Sequence, residues 1–346
     1  MKHLHYLAAI ALGATVLSSC SNDEVVSAPA EPNVIGFKAM ANKTSRADAE
    51  VTTANIDRFR VFGCVTNQDG SGHIINFGGA DGKGTIVEKT GGKWSYNPVQ
   101  YWTKEKNYFF VALSTNNAQP NWTFTAPTEH RATLDVNNFY GYGTVTMPIG
   151  SGNGERDLVM ATASRYTDVN ESGVIVNTSA VNLSFKHLLS RVGITFTNNI
   201  TSTNYSIAIA NVKIGGLYAE GSLELQQNLA WATTGEATAT INGSISDATI
   251  VAKGGSVKTA EYRYILPAEQ TLTITFDVNV YVNGTLYSTR TMTGTVPAQA
   301  YALGKSYMLN ASITEENIVP GGAKPIEFTA SVENWPADEN GGNVSF

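Results

Sequence analysis

The sequence has only two cysteines, Cys20 and Cys64, in 346 residues. If Cys20, in the leader, is consumed by lipidation, Cys64 has no second cysteine with which to form a disulfide. The folded part then has no internal disulfide and depends on packing. Charge is also scarce: charged residues make up 15%, well below the usual quarter. The net charge of −6 argues against nucleic acid or anionic lipid as a partner. Histidine occurs five times, at positions 3, 5, 73, 130 and 187, with no His-Glu-x-x-His motif and no Cys/His cluster, so there is no zinc signature. Carboxylates are scattered and offer no acid/base pair. Gly304-Lys305-Ser306 matches the end of a phosphate-binding loop, but Gln299 stands where its first glycine belongs. Asp168-x-Asn170-x-Ser172-Gly173 matches the start of a calcium loop, but Ser179 stands where the bidentate Glu belongs. Gly150-x-Gly152-x-Gly154 is not followed by a helical pattern. The reading is therefore of a non-enzyme, with no catalytic, cofactor-binding or metal-binding residues assigned.

What is present begins with the leader. An apolar run from Tyr6 to Leu17 follows Lys2; it is too short to span a bilayer and has the length of a signal peptide core. Leu17-Ser18-Ser19-Cys20 has the form of a bacterial lipobox, which would make Cys20 the lipidated first residue after cleavage. A Pro/Ala tether from Ser27 to Pro32 precedes Val34-Ile35-Gly36-Phe37-Lys38-Ala39-Met40. Ile35, Phe37 and Ala39 alternate there as in a strand. A strand this near an anchor gains burial only by pairing with the body, at roughly 1.5–3 kcal/mol each for Ile35 and Phe37. Asn42-Lys43-Thr44-Ser45-Arg46-Ala47 is a polar, glycine-free loop, the kind of exposed site at which a protease cuts; the bond would be Arg46-Ala47.

The body reads as many short strands between turn signals, with no sustained helical period, which means a β-sandwich architecture. Tyr108-Phe109-Phe110-Val111-Ala112-Leu113 forms a dense buried strand, and Val181, Leu183 and Phe185 alternate into Lys186-His187-Leu188-Leu189. Ile207–Ile214 reads as a strand ended by Gly215-Gly216. Leu272, Ile274, Phe276, Val278, Val280 and Val282 share one face of a long strand. Asn283-Gly284 predicts a type I′ hairpin that sets Val280 opposite Tyr287. Ile326, Phe328, Ala330 and Val332 form the last strand. His187 is expected to pack or hydrogen-bond beneath a sheet.

These pieces together resemble the fimbrillin family, the Mfa-like and FimA-like pilins and related surface lipoproteins of Bacteroides-type bacteria. The matching residues are the lipobox at Cys20, the acidic Ser21-Asn22-Asp23-Glu24 after it, Ile35-x-Phe37 before Arg46, and Trp94 to Trp102 leading into Tyr108-Phe109-Phe110. Asp157-Leu158, Phe185-Lys186-His187-x-Leu189-Ser190, Ile265-Leu266-Pro267, Gly304-Lys305-x-Tyr307 and Ile326-x-Phe328 to Trp335 complete them. The resemblance implies an all-β protein of two tandem transthyretin-like β-sandwich domains. The expected division is a signal peptide over 1–20, a tether and placeholder strand over 21–46, and domains over 47–180 and 181–346.

The resemblance also implies a fimbrial subunit, structural or adhesive, exported to the outer membrane as a lipoprotein. An arginine- or trypsin-like protease would remove the first strand, and a donor strand from another fimbrillin subunit would fill the vacated groove. The candidate donor is Ile326, Phe328, Ala330 and Val332; the alternative is that this segment is the last strand of its own domain. The competing function is a monomeric surface lipoprotein that binds carbohydrate through Trp94, Tyr96, Tyr101, Trp102 and Trp122.

Overall fold

A computed structural model of the chain describes residues 33–41, 50–52, 54–72, 74–78, 83–116, 122–125, 143–149, 156–225, 229–243, 245, 250–259, 261–318 and 324–334. The strands of the first half are β1 (Phe37–Ala41), β2 (Arg58–Asn67), β3 (Ile74–Phe77), β4 (Thr85–Thr90), β5 (Lys93–Ser95), β6 (Lys106–Ser114), β7 (Thr123–Thr125), β8 (Thr144–Pro148), β9 (Val159–Tyr166) and β10 (Val181–His187). Those of the second half are β11 (Ser190–Asn198), β12 (Tyr205–Leu217), β13 (Glu220–Glu224), β14 (Trp231–Thr233), β15 (Ala239–Asn242), β16 (Ser256–Lys258), β17 (Arg263–Ile265), β18 (Glu269–Val282), β19 (Thr285–Ala300), β20 (Lys305–Ile313) and β21 (Ile326–Asn334). A single-turn helix, α1 (Glu315–Ile318), is the one helix among the described residues.

The strands form three sheets. The first runs β1-β10-β9-β6-β2-β4-β5 with β3 beside β2; the second runs β15-β12-β18-β19-β21-β20-β11-β16 with β17 beside β11. The third, β14-β13-β8-β7, takes two strands from each half of the chain. The architecture is all-β, as expected.

Alternation along β6 explains why the first sheet is buried on both faces. Tyr108, Phe110 and Ala112 enter a smaller core that also holds Ile35, Phe37, Phe59 and Leu183. Phe109, Val111 and Leu113 enter a larger core shared with Leu188, Phe196 and Phe276 of the second half. In β18 the alternation is stricter: Leu272, Ile274, Phe276, Val278 and Val280 are all buried, while Thr and Asp face outward. The 181–187 strand is split between two partners. Its first five residues pair with β1 in parallel, and Lys186 and His187 pair with Met160 and Val159 of β9. Leu188 and Leu189, both fully buried, then carry the chain into the second sheet.

Two local expectations are corrected. Gly215-Gly216 does not end its strand: β12 continues to Leu217, with a register shift between Ile214 and Leu217. Gly216 has φ +76°, and a Cβ there would lie 2.1 Å from the Thr271 carbonyl, so the glycine carries a bulge rather than a stop. The hairpin turn does form, with Asn283 and Gly284 at positive φ and Val282 opposite Thr285. A second register shift follows it at once, between Val280 and Tyr281, so Val280 faces Ser288 instead of Tyr287.

Candidate functional site

The strand nearest the leader lies in a groove with partners on both edges. On one side Ile35 N–H donates to Gln100 O at 2.9 Å and Trp102 N–H donates to Asn33 O at 2.7 Å, with Val34 opposite Tyr101. On the other side Val181 N–H donates to Gly36 O at 2.8 Å. The ladder then runs in parallel from Phe37 opposite Val181 to Ala41 opposite Phe185. The Tyr96 hydroxyl donates to Ile35 O at 2.6 Å, and burial pushes this phenol up to about 12.

Val34, Ile35 and Phe37 are all buried, and Lys38, Ala39 and Met40 are partly buried, Ala39 against the same core as Ile35 and Phe37. Phe37 fills a pocket of four aromatic rings in edge-on contacts. Its ring centre lies 6.1 Å from Phe59, 5.4 Å from Phe77, 5.7 Å from Tyr96 and 5.6 Å from Phe110. Such pairs add to the gain from burial alone.

Cys20, Arg46 and Ala47 lie outside the described residues. The description stops at Ala41 and resumes at Glu50, and both ends of this interval rest on the same strand. Ala41 pairs with Phe185, and a Glu50 carboxylate oxygen lies 3.8 Å from His187 Nε2. Eight residues in the sequence, 42–49 with Arg46 among them, separate these two points.

Glu50 opens a buried charged cluster that the sequence did not announce. Its other carboxylate oxygen is 2.8 Å from the Arg191 guanidinium. His187 Nδ1 is 2.8 Å from Asp157 Oδ2, which also accepts Val51 N–H at 3.0 Å. Arg191 Nε donates to Ser306 Oγ at 3.1 Å. Glu50, Asp157, His187 and Arg191 are all at most 6% exposed. The phenol of Tyr264 next to them is raised well above its usual range by burial and by Asp157 and Glu50. His187 was expected beneath a sheet. Glu50 was invisible because a lone acid in Ala49-Glu50-Val51 carries no periodic signal. The cluster ties the chain just beyond the Arg46 connection to the passage between the first and second sheets.

The segment considered as a donor lies within its own chain's second sheet. β21 pairs with β20 from Lys305 opposite Asn334 to Ala311 opposite Phe328, and with β19 at Gly294 and Thr295. Ile326 and Phe328 are buried; Ala330 and Val332 are exposed. Of the five aromatics considered for sugar binding, Trp102 and Trp122 are buried. Trp94 and Tyr96 pack on the smaller core, which leaves Tyr101 as the exposed ring. Among the described residues no group of His, Cys, Asp and Glu could hold a metal, and no helix is long and apolar enough to cross a membrane. Cys64 is a buried thiol.

The chain's fold is shared with a crystallised fimbrial protein from Bacteroides vulgatus: 16% identity, 88% of this chain and all of that one covered, TM-score 0.58. The fimbrial anchor protein Mfa2 from Porphyromonas gingivalis matches at 12% identity over 87% of this chain and 98% of its own, with a TM-score of 0.40. No curated protein sequence matches. A sequence profile described as fimbrillin-like matches residues 45–335. The chain belongs to the fimbrillin-like family.

Proposed function

We propose that this chain is a fimbrial subunit whose first strand is a removable placeholder. It is exported as a lipoprotein through Cys20 and held at the outer membrane until an arginine- or trypsin-like protease cuts Arg46-Ala47. Residues 33–46 then leave the body, whose first domain takes in β10 through its pairing with β1 and β9, and a second fimbrillin subunit donates a strand to the vacated groove. Main-chain bonds supply affinity and alternate side chains set the register. The contact is head-to-tail and does not close, so it builds a filament at the cell surface.

The single observation that carries this reading is the seat of β1. It has partners on both edges of residues 33–37 and it buries Ile35 and Phe37 completely. Yet it hangs on one connection that contains Arg46.

The donor assigned here is the Ile326, Phe328, Ala330 and Val332 strand of the neighbour. Ile326-x-Phe328-x-Ala330 repeats the spacing and identities of Ile35-x-Phe37-x-Ala39. In that alignment Glu327 takes the place of Gly36, where an added Cβ meets nothing closer than Ala180 Cβ at 3.6 Å. Pro325 takes the place of Val34. The bonds to the 100–102 rim run through Ile35 N–H and Asn33 O, so the missing proline N–H loses none of them. The carbohydrate reading has less support, because most of its aromatic surface faces the cores.

The test is Arg46→Ala in the full chain, treated with an arginine-specific protease beside the parent, because trypsin would also cut after Lys43 in the same loop. The parent loses its leader up to Arg46 and forms filaments; the variant keeps β1 and stays monomeric. Filaments from the uncut variant would refute the activation step.

A further inference from the structure

The groove has a brace that β1 does not supply. Arg165 stands near the end of β9, opposite Tyr108 in the ladder to β6. Its guanidinium lies over the Trp102 ring, 4.9 Å from the ring centre. The same guanidinium donates to the carbonyls of Asn177 at 3.3 Å, Ser179, and Ala180 at 3.3 Å. Trp102 belongs to the rim that bonds Asn33 and Ile35. Ala180 immediately precedes Val181, the residue of the opposite rim that bonds Gly36. One half-buried side chain thus touches both walls of the slot, with its hydrogen bonds going to one wall and its stacking to the other. Trp102 is gripped from elsewhere as well, with its ring 4.7 Å from that of Tyr108 in an edge-on contact.

We propose that Arg165 is a positioning residue that fixes the spacing of the two groove rims, so that the groove keeps its shape when β1 has gone and receives an incoming strand without rebuilding. The inference rests on the placeholder reading above. A guanidinium suits the task because its planar fork donates in several directions while one face stacks on an aromatic ring. A lysine could still sit over Trp102, but its point charge cannot span three carbonyls in the same way. Preorganisation acts on the capture of a strand, since a slot that must first reassemble binds more slowly and more weakly.

The experiment compares the full chain with Arg165→Gln and Arg165→Lys. In the uncut proteins, amide hydrogen exchange is followed over 33–37 and 180–182, with β20 as the internal reference. After cutting at Arg46, uptake of a labelled peptide of sequence 33–41 is measured. Arg165→Gln is expected to slow or weaken uptake by about tenfold or more, in line with the loss of several charge-assisted bonds. Arg165→Lys should fall between it and the parent. Exchange should rise at the two rims and stay unchanged in β20. Uptake by Arg165→Gln within about twofold of the parent would overturn the inference, since that is too small for the loss of charge-assisted bonds. So would an exchange increase spread evenly over the first sheet, and so would a cut parent that takes up no peptide. If the cut parent takes up peptide in an Arg165-dependent way but never forms filaments, polymerisation fails and the brace stands.

Discussion

Phe37→Ala in the uncut chain asks what holds β1 in place. The ring is 1% exposed and meets four aromatic rings at centre distances of 5.4 to 6.1 Å. Its removal leaves a cavity walled by Phe59, Phe77, Tyr96 and Phe110, rings too rigid to collapse fully into the space. Truncations of this kind cost about 3–5 kcal/mol. The ladder cannot compensate, because each backbone bond is worth only about 0.5–1.5 kcal/mol net and all of them are already made. At about 1.4 kcal/mol per factor of ten, the population with β1 undocked should rise by roughly 10²–10⁴-fold.

Amide hydrogen exchange over residues 35–41 reads that population directly, because local opening sets the rate. The second sheet serves as reference: β20 should exchange as in the parent. Met40→Ala is the matched control, since strand alternation sets Met40 on the face opposite Phe37 and it is only partly buried. A β1 exchange rate in Phe37→Ala within about tenfold of the parent would amount to less than 1.4 kcal/mol. That would refute the claim that the aromatic pocket retains the strand.

Two further substitutions probe the supports on either side. Glu50→Ala leaves the buried Arg191 without its carboxylate partner and should cost about 3–5 kcal/mol, as breaking a buried pair does; urea unfolding of the full chain measures it, and an unchanged midpoint would remove Glu50 from any anchoring role. Gly294→Ala would set a Cβ 2.5 Å from Phe328 Cε2 and 2.6 Å from Ile326 O. Overpacking of about 1–3 kcal/mol should raise amide exchange in β21 and leave β1 protected.

What was legible in the sequence was what period two encodes. The alternation in β18 assigned the inward residues from Leu272 to Val280, though it missed buried Gln270 and overreached at half-buried Val282, and Ile35-x-Phe37 announced a strand with a buried face. Alternation does not name a strand's neighbour, however, because many partners can offer an apolar face. Nothing in the Val181–His187 pattern says that its first five residues serve β1 and its last two serve β9. Nothing in the short strands β7, β8, β13 and β14 says that they close a third sheet across the two halves. The shift from Tyr287 to Ser288 opposite Val280 arises from one extra residue beside a correctly read turn. The Glu50 and Arg165 contacts were hidden for a different reason. Each joins a single charged residue to groups far away in the chain, and isolated charges have no period.

The seating of β21 bears on what would drive the proposed exchange. That strand is already folded into its own sheet, with Ile326 and Phe328 buried. Moving it to a neighbour's groove takes an isoleucine and a phenylalanine out of one core and puts them, at the same spacing, into another. In apolar burial the transfer is close to even, so affinity for the groove alone gives little direction. The tie does. While residues 42–49 are intact, β1 competes for its slot at the effective concentration of a short linker, on the order of millimolar or more. A free subunit cannot match that. Cutting at Arg46 leaves every contact of β1 in place but abolishes this advantage, and a departed strand must then return at its actual concentration. Glu50, pinned to Arg191 four residues beyond the cut, keeps the retained chain end from leaving with it. In this account the protease changes no interface; it changes which strand is local.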